Sequence, residues 1–300
     1  MGEAVLRVLM VKQDVEALGG SERYLLRSAS ALLSLGHSVY LAHGGGPSQN
    51  TAPFSGVISV PELFERDRFI ERKSVRDSYR ALRSFIEEEQ VEVIHLNWML
   101  RTAVMHRLVK HVPVVMTPHN ASCPNKSRFL WKERLPCHRE IGVGCLSGYF
   151  NHGCGHLGNG EPFGLPGFLR AMVEDRRSRA AIARCHRIIA GSKWMADYLA
   201  ATGTSADKIR VVEPPIAAVA EPAGLPAADP PLVTFVGRLV GFKGADHLLK
   251  ASQRLGIDHR LAIAGDGPDL QALMALAAEL GISDRVDFLG RMDTAELESL

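Results

Sequence analysis

The chain has 300 residues, 46% of them hydrophobic and 23% charged, at a mean hydropathy of +0.00. A length of this order supports real cores without disulfides or metals, and no run approaches the roughly 18 uninterrupted apolar residues of a spanning helix. The 35 Lys and Arg against 33 Asp and Glu leave a net charge of +2, which excludes the general basic footprint of a nucleic-acid binder. Glu3 and Arg7 fall where a secretory signal needs its apolar stretch. A cytoplasmic protein is therefore expected. Its five cysteines, an odd count, argue against a disulfide framework.

Short β-branched apolar runs alternate with amphipathic helices. Residues 5–11 predict a strand, and Ser21 opens a helix whose apolar stripe of Leu25, Leu26, Ala29, Leu32 and Leu33 stops at Gly36. Ser38–His43 predicts a second strand. A Gly- and Pro-rich loop and a short apolar run at 57–60 lead to a charged helix over 74–90. A strand over 91–96, a helix over 98–110 and a strand over 112–117 follow. Strands joined by helical crossovers imply parallel β-α-β units with right-handed connections. The rhythm breaks over 120–165, an insertion rich in Cys, Gly, His and Pro. It resumes with a helix over 167–185, a strand over Arg187–Ala190, a Ser192-capped helix to Ala201 and a strand over 209–212.

Residues 214–231 carry six prolines, which admit neither a helix nor a central strand. Residues 217–231 are accordingly assigned as a linker between a first domain, 1–216, and a second, 232–300. The second series predicts strands over Leu232–Val236, Arg260–Ala264 and 286–289, with helices over 245–255 and 268–280. Asp293 and Glu296 have the spacing of a capping box.

Several loops have residues suited to chemistry. Gly237, Arg238, Lys243 and Gly244 lie between the first strand of the second domain and its helix, at the strand end where open α/β sheets bind ligands. Glycine allows close backbone approach, and two cations beside a helix N-terminus suit a diphosphate; a plain turn with two solvated cations is the competing reading. Gly265, Gly267 and Pro268 repeat the arrangement after the next strand, where turn chemistry alone would also explain them. Gly19 and Gly20 open the first helix, either as an approach for phosphate or sugar or as a flexible loop with an N-cap. His119 follows an apolar strand and is expected to face an interdomain crevice, to bond a sugar hydroxyl or shift protons, with a structural histidine as the alternative. His95, within its strand, reads as core or as support behind the site.

Gly153 to Gly158 match a dinucleotide fingerprint by letter, but no strand precedes them, so the match is read as chance. Cys123, Cys137, Cys145 and Cys154, with His138, His152 and His156 nearby, are open to two readings: a structural zinc site or separate thiols. Seven basic residues between Arg66 and Arg83 are interleaved with acids, which describes a solvated helix face and leaves a peripheral membrane contact as the weaker reading.

Taken together, Gly237-Arg238 with Lys243-Gly244, the run Ala264 to Pro268 and the run Val286 to Gly290 resemble family 4 glycosyltransferases. So do the first strand with Gly19 to Tyr24, the run Leu35 to Val39, the loop Val115 to Asn120, the strand ending at Ser192 and the run Lys208 to Val212. The resemblance implies an α/β protein of the GT-B fold, with two Rossmann-like parallel-sheet domains. It implies a retaining transferase that moves a sugar from a nucleoside-diphosphate sugar to the hydroxyl of a carbohydrate or lipid-linked acceptor, in polysaccharide or glycoconjugate synthesis. In that reading Arg238 and Lys243 neutralise the departing diphosphate, Gly19 and Gly20 let the first domain approach the phosphate, and His119 contacts the sugar. Gly237, Gly265 and Gly267 would form the nucleotide loops. No catalytic cofactor is implied; zinc, if present, would be structural, and relatives with four-cysteine insertions are known.

Two departures qualify the resemblance. Glu213-Pro214-Pro215 stands where the family usually runs into Pro-Asn-Gly. The family's two glutamates, seven residues apart, that bind the donor would follow residue 300, and Glu161 imitates only part of that element. The second domain is therefore expected to be truncated, since 69 residues from Leu232 do not complete a covered parallel sheet. Two further readings compete: a non-catalytic binding protein derived from such an enzyme, and a different α/β nucleotide-binding enzyme with similar loops.

Overall fold

The computed structural model describes residues 4–15, 19–45, 53–64, 72–120, 123, 129–130, 132, 135–137, 141–155, 164–215 and 229–300. The chain divides into two compact units, Met1–Ala218 and Val219–Leu300. Most of the assigned linker lies outside the described residues.

The first unit runs β1 (Arg7–Lys12), α1 (Gly20–Ser34), β2 (Ser38–His43), β3 (Gly56–Ser59), α2 (Arg72–Glu88), β4 (Val93–Leu96), α3 (Thr102–Leu108) and β5 (Val114–Met116). Within the insertion come β6 (Phe129–Leu130), β7 (Leu135–Pro136) and α4 (Gly144–Asn151). The unit continues with α5 (Leu165–Arg184), β8 (Arg187–Ala190), α6 (Lys193–Ala201) and β9 (Ile209–Val211). Seven strands pair in parallel in the order β3-β2-β1-β4-β5-β8-β9. The order reverses direction between β1 and β4, and the carboxyl ends of strands at such a switch point open onto a crevice.

Alternation along β1 divides the core. Leu9 and Val11 join one apolar cluster with Tyr79, Leu82 and Ile86 of α2 and Val104, Met105 and Leu108 of α3. Val8 and Met10 join another with Leu25 and Ala29 of α1. Both faces are covered, which is why β1 reads as a continuous apolar run rather than an alternating one. α1 ends at Ser34, and Gly36, two residues on, has a φ of +87° that suits glycine; the amides of Gly36 and His37 return to the carbonyls of Leu33 and Leu32, closing the last turn. Ser192 caps α6 by accepting from the Met195 amide at 3.2 Å.

Most elements differ from their expected spans by one or two residues at an end, and three differences are larger or have a visible cause. The first strand extends to Lys12 because its ladder with β2 continues to His43. The helix expected over 98–110 is only Thr102–Leu108, because Arg101 has a non-helical backbone (ψ 131°) and donates to the Glu62 carbonyl from Nε at 2.6 Å and to the Leu63 carbonyl from its amide at 2.8 Å. The insertion is not wholly irregular: β6 and β7 pair antiparallel and α4 follows.

The second unit runs β10 (Leu232–Val236), α7 (Ala245–Arg254), β11 (Arg260–Ala264), α8 (Leu270–Glu279), β12 (Val286–Gly290) and α9 (Thr294–Glu298). Its strands pair in parallel in the order β10-β11-β12 around Leu239, Leu249, Leu261, Ile263, Leu273 and Val286. Buried His259 ties the end of α7 to the approach to β11, through Ser252 Oγ at 2.7 Å and the Ile257 carbonyl at 2.9 Å. The capping box forms as expected, Asp293 Oδ1 accepting from the Glu296 amide and Glu296 Oε2 from the Asp293 amide. Among the described residues, no helix is long and apolar enough to cross a membrane.

Candidate active site

In the first unit, polar side chains gather at the switch point. Lys12 ends β1 and is 1% exposed. A buried ammonium needs compensation, and here it has three kinds. Lys12 Nζ donates to Ser21 Oγ at 2.7 Å, lies 2.9 Å from Glu22 Oε1 and sits 4.5 Å from the centroid of the Trp98 ring. Ser21 Oγ in turn donates to Glu22 Oε1 at 2.8 Å, and Glu22 Oε2 accepts from the Gly19 amide at 3.0 Å. Burial pushes the Glu22 carboxyl up. The hydrogen bonds from Lys12 and Ser21 and the Lys12 charge outweigh that effect and hold it below its ordinary value.

Two histidines complete the group. His95, on β4, is buried and shares a 2.8 Å hydrogen bond between Nε2 and Thr117 Oγ1. His119, just past β5, meets the Tyr24 ring edge-on at 5.1 Å, and its Nε2 is buried with no partner in the protein. Burial, then the nearby Lys12 charge, lowers His119 to about 4, against the opposing pull of Glu22. Burial, then His119, lowers His95 to about 4 as well. Both imidazoles are therefore neutral at pH 7. Asn97 is also buried, with Nδ2 donating to the His95 carbonyl at 3.3 Å and Oδ1 without a protein partner. The cluster offers a neutral imidazole and an amide oxygen beside an internally compensated charge, an arrangement suited to bonding a neutral polyol.

Of the residues singled out from sequence in this unit, Gly19 and His119 belong to the cluster. Gly19 sits so close over Glu22 that a Cβ would lie 2.6 Å from Oε2; Gly20 has open space around it. His95, expected as core or as support behind the site, is buried and bonded to Thr117. Lys12, Glu22, Asn97, Trp98 and Thr117 are functional candidates that sequence reasoning passed over. A lysine and a tryptophan directly after two apolar strands were the available signal.

In the second unit the two glycine-bearing loops are laced together. The amide of Gly237 donates to the Ala264 carbonyl at 3.0 Å, that of Leu239 to Asp266 at 3.0 Å and that of Asp269 to Leu239 at 3.1 Å. Gly265 has φ +149°, and a Cβ there would lie 1.9 Å from the Gly237 oxygen; at Gly267 it would lie 2.3 Å from the Leu239 oxygen. Both positions therefore require glycine for backbone contact within the unit, before any ligand is considered. Arg238 and Lys243 are exposed at the carboxyl end of β10, and Gly244, φ +79°, leads into α7.

Cys145 lies in the first turn of α4, Cys154 is buried against Gly148, and Cys123 and Cys137 are half-buried. Among the described residues, no group of three or more His, Cys, Asp or Glu could hold a metal ion. His138 and His156 lie outside the described residues, as does the second half of the 153–158 run. Gly153 follows α4 rather than a strand. The fifth cysteine, Cys185, is fully buried, and burial pushes its thiol up to about 12, leaving it inert.

A doubly wound parallel sheet with a polar cluster at its switch point, and a second parallel unit with a cationic strand-end loop, define a protein of the Rossmann-like α/β class. The Glycosyltransferase Family 4 model matches residues 18–218, and the model for Glycosyl transferases group 1 matches 220–300. The chain belongs to glycosyltransferase family 4. A phosphatidylinositol N-acetylglucosaminyltransferase subunit from Arabidopsis thaliana is 23% identical over 309 residues, covering 98% of this chain and 60% of that protein. A 2-deoxystreptamine glucosyltransferase from Streptomyces kanamyceticus is 29% identical over 163 residues, 49% of this chain and 42% of its own. Among solved structures, Anabaena HepE in complex with UDP and glucose superposes with a TM-score of 0.58 at 15% identity, covering 96% of this chain and 70% of that one. The fold is GT-B. The chain spans 60% or less of the length of these two curated relatives.

Proposed function

We propose that this chain contributes to a retaining glycosyltransferase that moves a sugar from a nucleoside-diphosphate sugar to an acceptor hydroxyl in glycoconjugate or polysaccharide synthesis. The observation that carries the reading is the family match across both units, with Arg238 and Lys243 exposed at the carboxyl end of the strand that opens the second. In the reaction the bond between the anomeric carbon and the diphosphate oxygen breaks, and the diphosphate leaves with the electron pair. The acceptor oxygen forms the new bond, and its proton leaves with the displaced phosphate or through solvent. The two cations would stabilise the negative charge that develops on the leaving group. Neutral His119 would hydrogen-bond a hydroxyl of the transferred sugar through Nε2, with Tyr24 fixing the ring edge-on.

Calorimetric titration with UDP and GDP tests the donor assignment; UDP is the first choice because HepE is solved with it. Arg238→Ala and Lys243→Ala should each weaken binding by about 1–3 kcal/mol, as expected for charged hydrogen bonds. Absence of heat with both nucleotides, or unchanged affinity in both variants, removes the proposal.

A further inference from the structure

A cavity of about 770 Å³ opens on the flank of the first unit, among the start of α2, the β4–α3 loop and the middle of α5. No residue of the switch-point cluster lines it. Four guanidinium groups do: Arg76, Arg101, Arg107 and Arg177, opposed among the described lining residues by the carboxylate of Glu174. Two of the four are held in place. Arg101 is anchored through Nε on the Glu62 carbonyl, while its Nη2 is buried with no protein partner. Arg107 lies over the Tyr79 ring at 5.4 Å. Tyr79, also a lining residue, is more than nine-tenths buried, and its buried hydroxyl has no protein partner. The remaining wall is mostly apolar, with Phe64, Val75 and Leu100, and carries the hydroxyl residues Thr102 and Ser178.

We propose that this cavity binds a phosphate ester, with the phosphate among the arginines and the organic part against the apolar wall. Its volume is that of a small-ligand site. Guanidinium forks and a phenol present donors from several directions, which matches the oxygens around phosphorus better than the two coplanar oxygens of a carboxylate. In a chain whose net charge is only +2, four guanidinium groups around one cavity concentrate positive charge for a compact anion. Reading this ester as the acceptor rests on the transferase proposal; the binding itself does not.

The test uses the Arg238→Ala/Lys243→Ala chain, so that the second unit contributes no phosphate affinity. It is titrated with inorganic phosphate, hexyl phosphate and phosphatidylcholine vesicles containing phosphatidylglycerol. Hexyl phosphate should bind more tightly than inorganic phosphate. Arg76→Ala/Arg177→Ala, both exposed positions, should weaken it about tenfold or more, and Tyr79→Phe about threefold or more. Binding of the small probes without the vesicles identifies a soluble phosphate ester. Vesicle binding lost in the same variants identifies a lipid headgroup. No binding of any probe, or binding unchanged in the cavity variants, overturns the proposal. Failure of the unmodified chain to bind UDP counts against the transferase reading alone, since UDP affinity should be the same with and without the cavity substitutions.

Discussion

Both units open with an apolar strand, a glycine-bearing loop and a helix, yet the two opening strands meet different surroundings. β1 lies between β2 and β4 and buries five of its six residues. β10, among the described residues, pairs with β11 alone and buries none, Val236 being 58% exposed. The cations that follow differ in the same way. Lys12 is buried and neutralised within the protein by Glu22, whereas Arg238 is exposed to solvent. Position within a sheet, rather than local sequence, decides whether a strand-end cation is a structural charge or one presented to a ligand. In the first unit that position buries the cluster and lowers its histidines; in the second it leaves Arg238 exposed.

The contrast can be broken by substitution. Glu22→Gln removes the compensation from Lys12 and should destabilise the first unit by about 3–5 kcal/mol, read as a lowered denaturant midpoint in that unit's transition. A loss under about 1 kcal/mol would mean that Lys12 behaves as a surface cation and that the two strand ends are alike. Gly267→Ala should cost about 1–3 kcal/mol in the second unit by forcing the two loops apart. It should also lower nucleotide affinity while leaving the transition of the first unit in place. An unchanged second unit would show that the lacing of the loops is dispensable.

Acid should separate the units as well. His95 and His119 are lowered from 6.5 to about 4 in the folded state. Between those values the unfolded chain binds protons that the folded chain refuses, so stability complete above pH 6.5 declines as pH falls toward 4. Glu22, held below its ordinary value, loses its contribution only at the acid end of this range and below. Denaturation midpoints taken across the interval should fall for the first unit, with a shallower slope in His95→Gln; a flat first-unit profile refutes the buried neutral histidines. The smallest effect belongs to β10. Val236→Ala should stay within about 0.5 kcal/mol, against about 2–5 kcal/mol for Leu9→Ala in β1. Equal costs would place β10 in a buried setting like that of β1.

The order of strands and helices was legible because each element carries its own local signal. Ser38–His43, Arg187–Ala190, Leu232–Val236 and Arg260–Ala264 coincide with their expected spans, since β-branched runs bounded by turn residues need no tertiary information. The caps at Gly36, Ser192 and Asp293 were legible for the same reason: a cap is a contact within a few residues. His119 could be named as a candidate because its place after an apolar strand is set by topology alone. Arg238 and Lys243 could be named likewise.

Lys12 could not, because a lysine at a strand end reads as solvated until β4 delivers Trp98 and α1 delivers Glu22 above it. The glycines at 265 and 267 were visible as turn residues, but the oxygens of Gly237 and Leu239 that forbid a Cβ belong to the loop after the preceding strand. The arginine cavity gathers side chains from α2, α3 and α5 and their loops, none distinctive where it stands in the chain. By itself the sequence determined the periodicities, the caps and the chemistry available at each strand end. The tertiary structure alone decided which strand ends are buried, which charges are neutralised internally and which side chains converge, because burial and charge compensation depend on neighbours far apart in sequence.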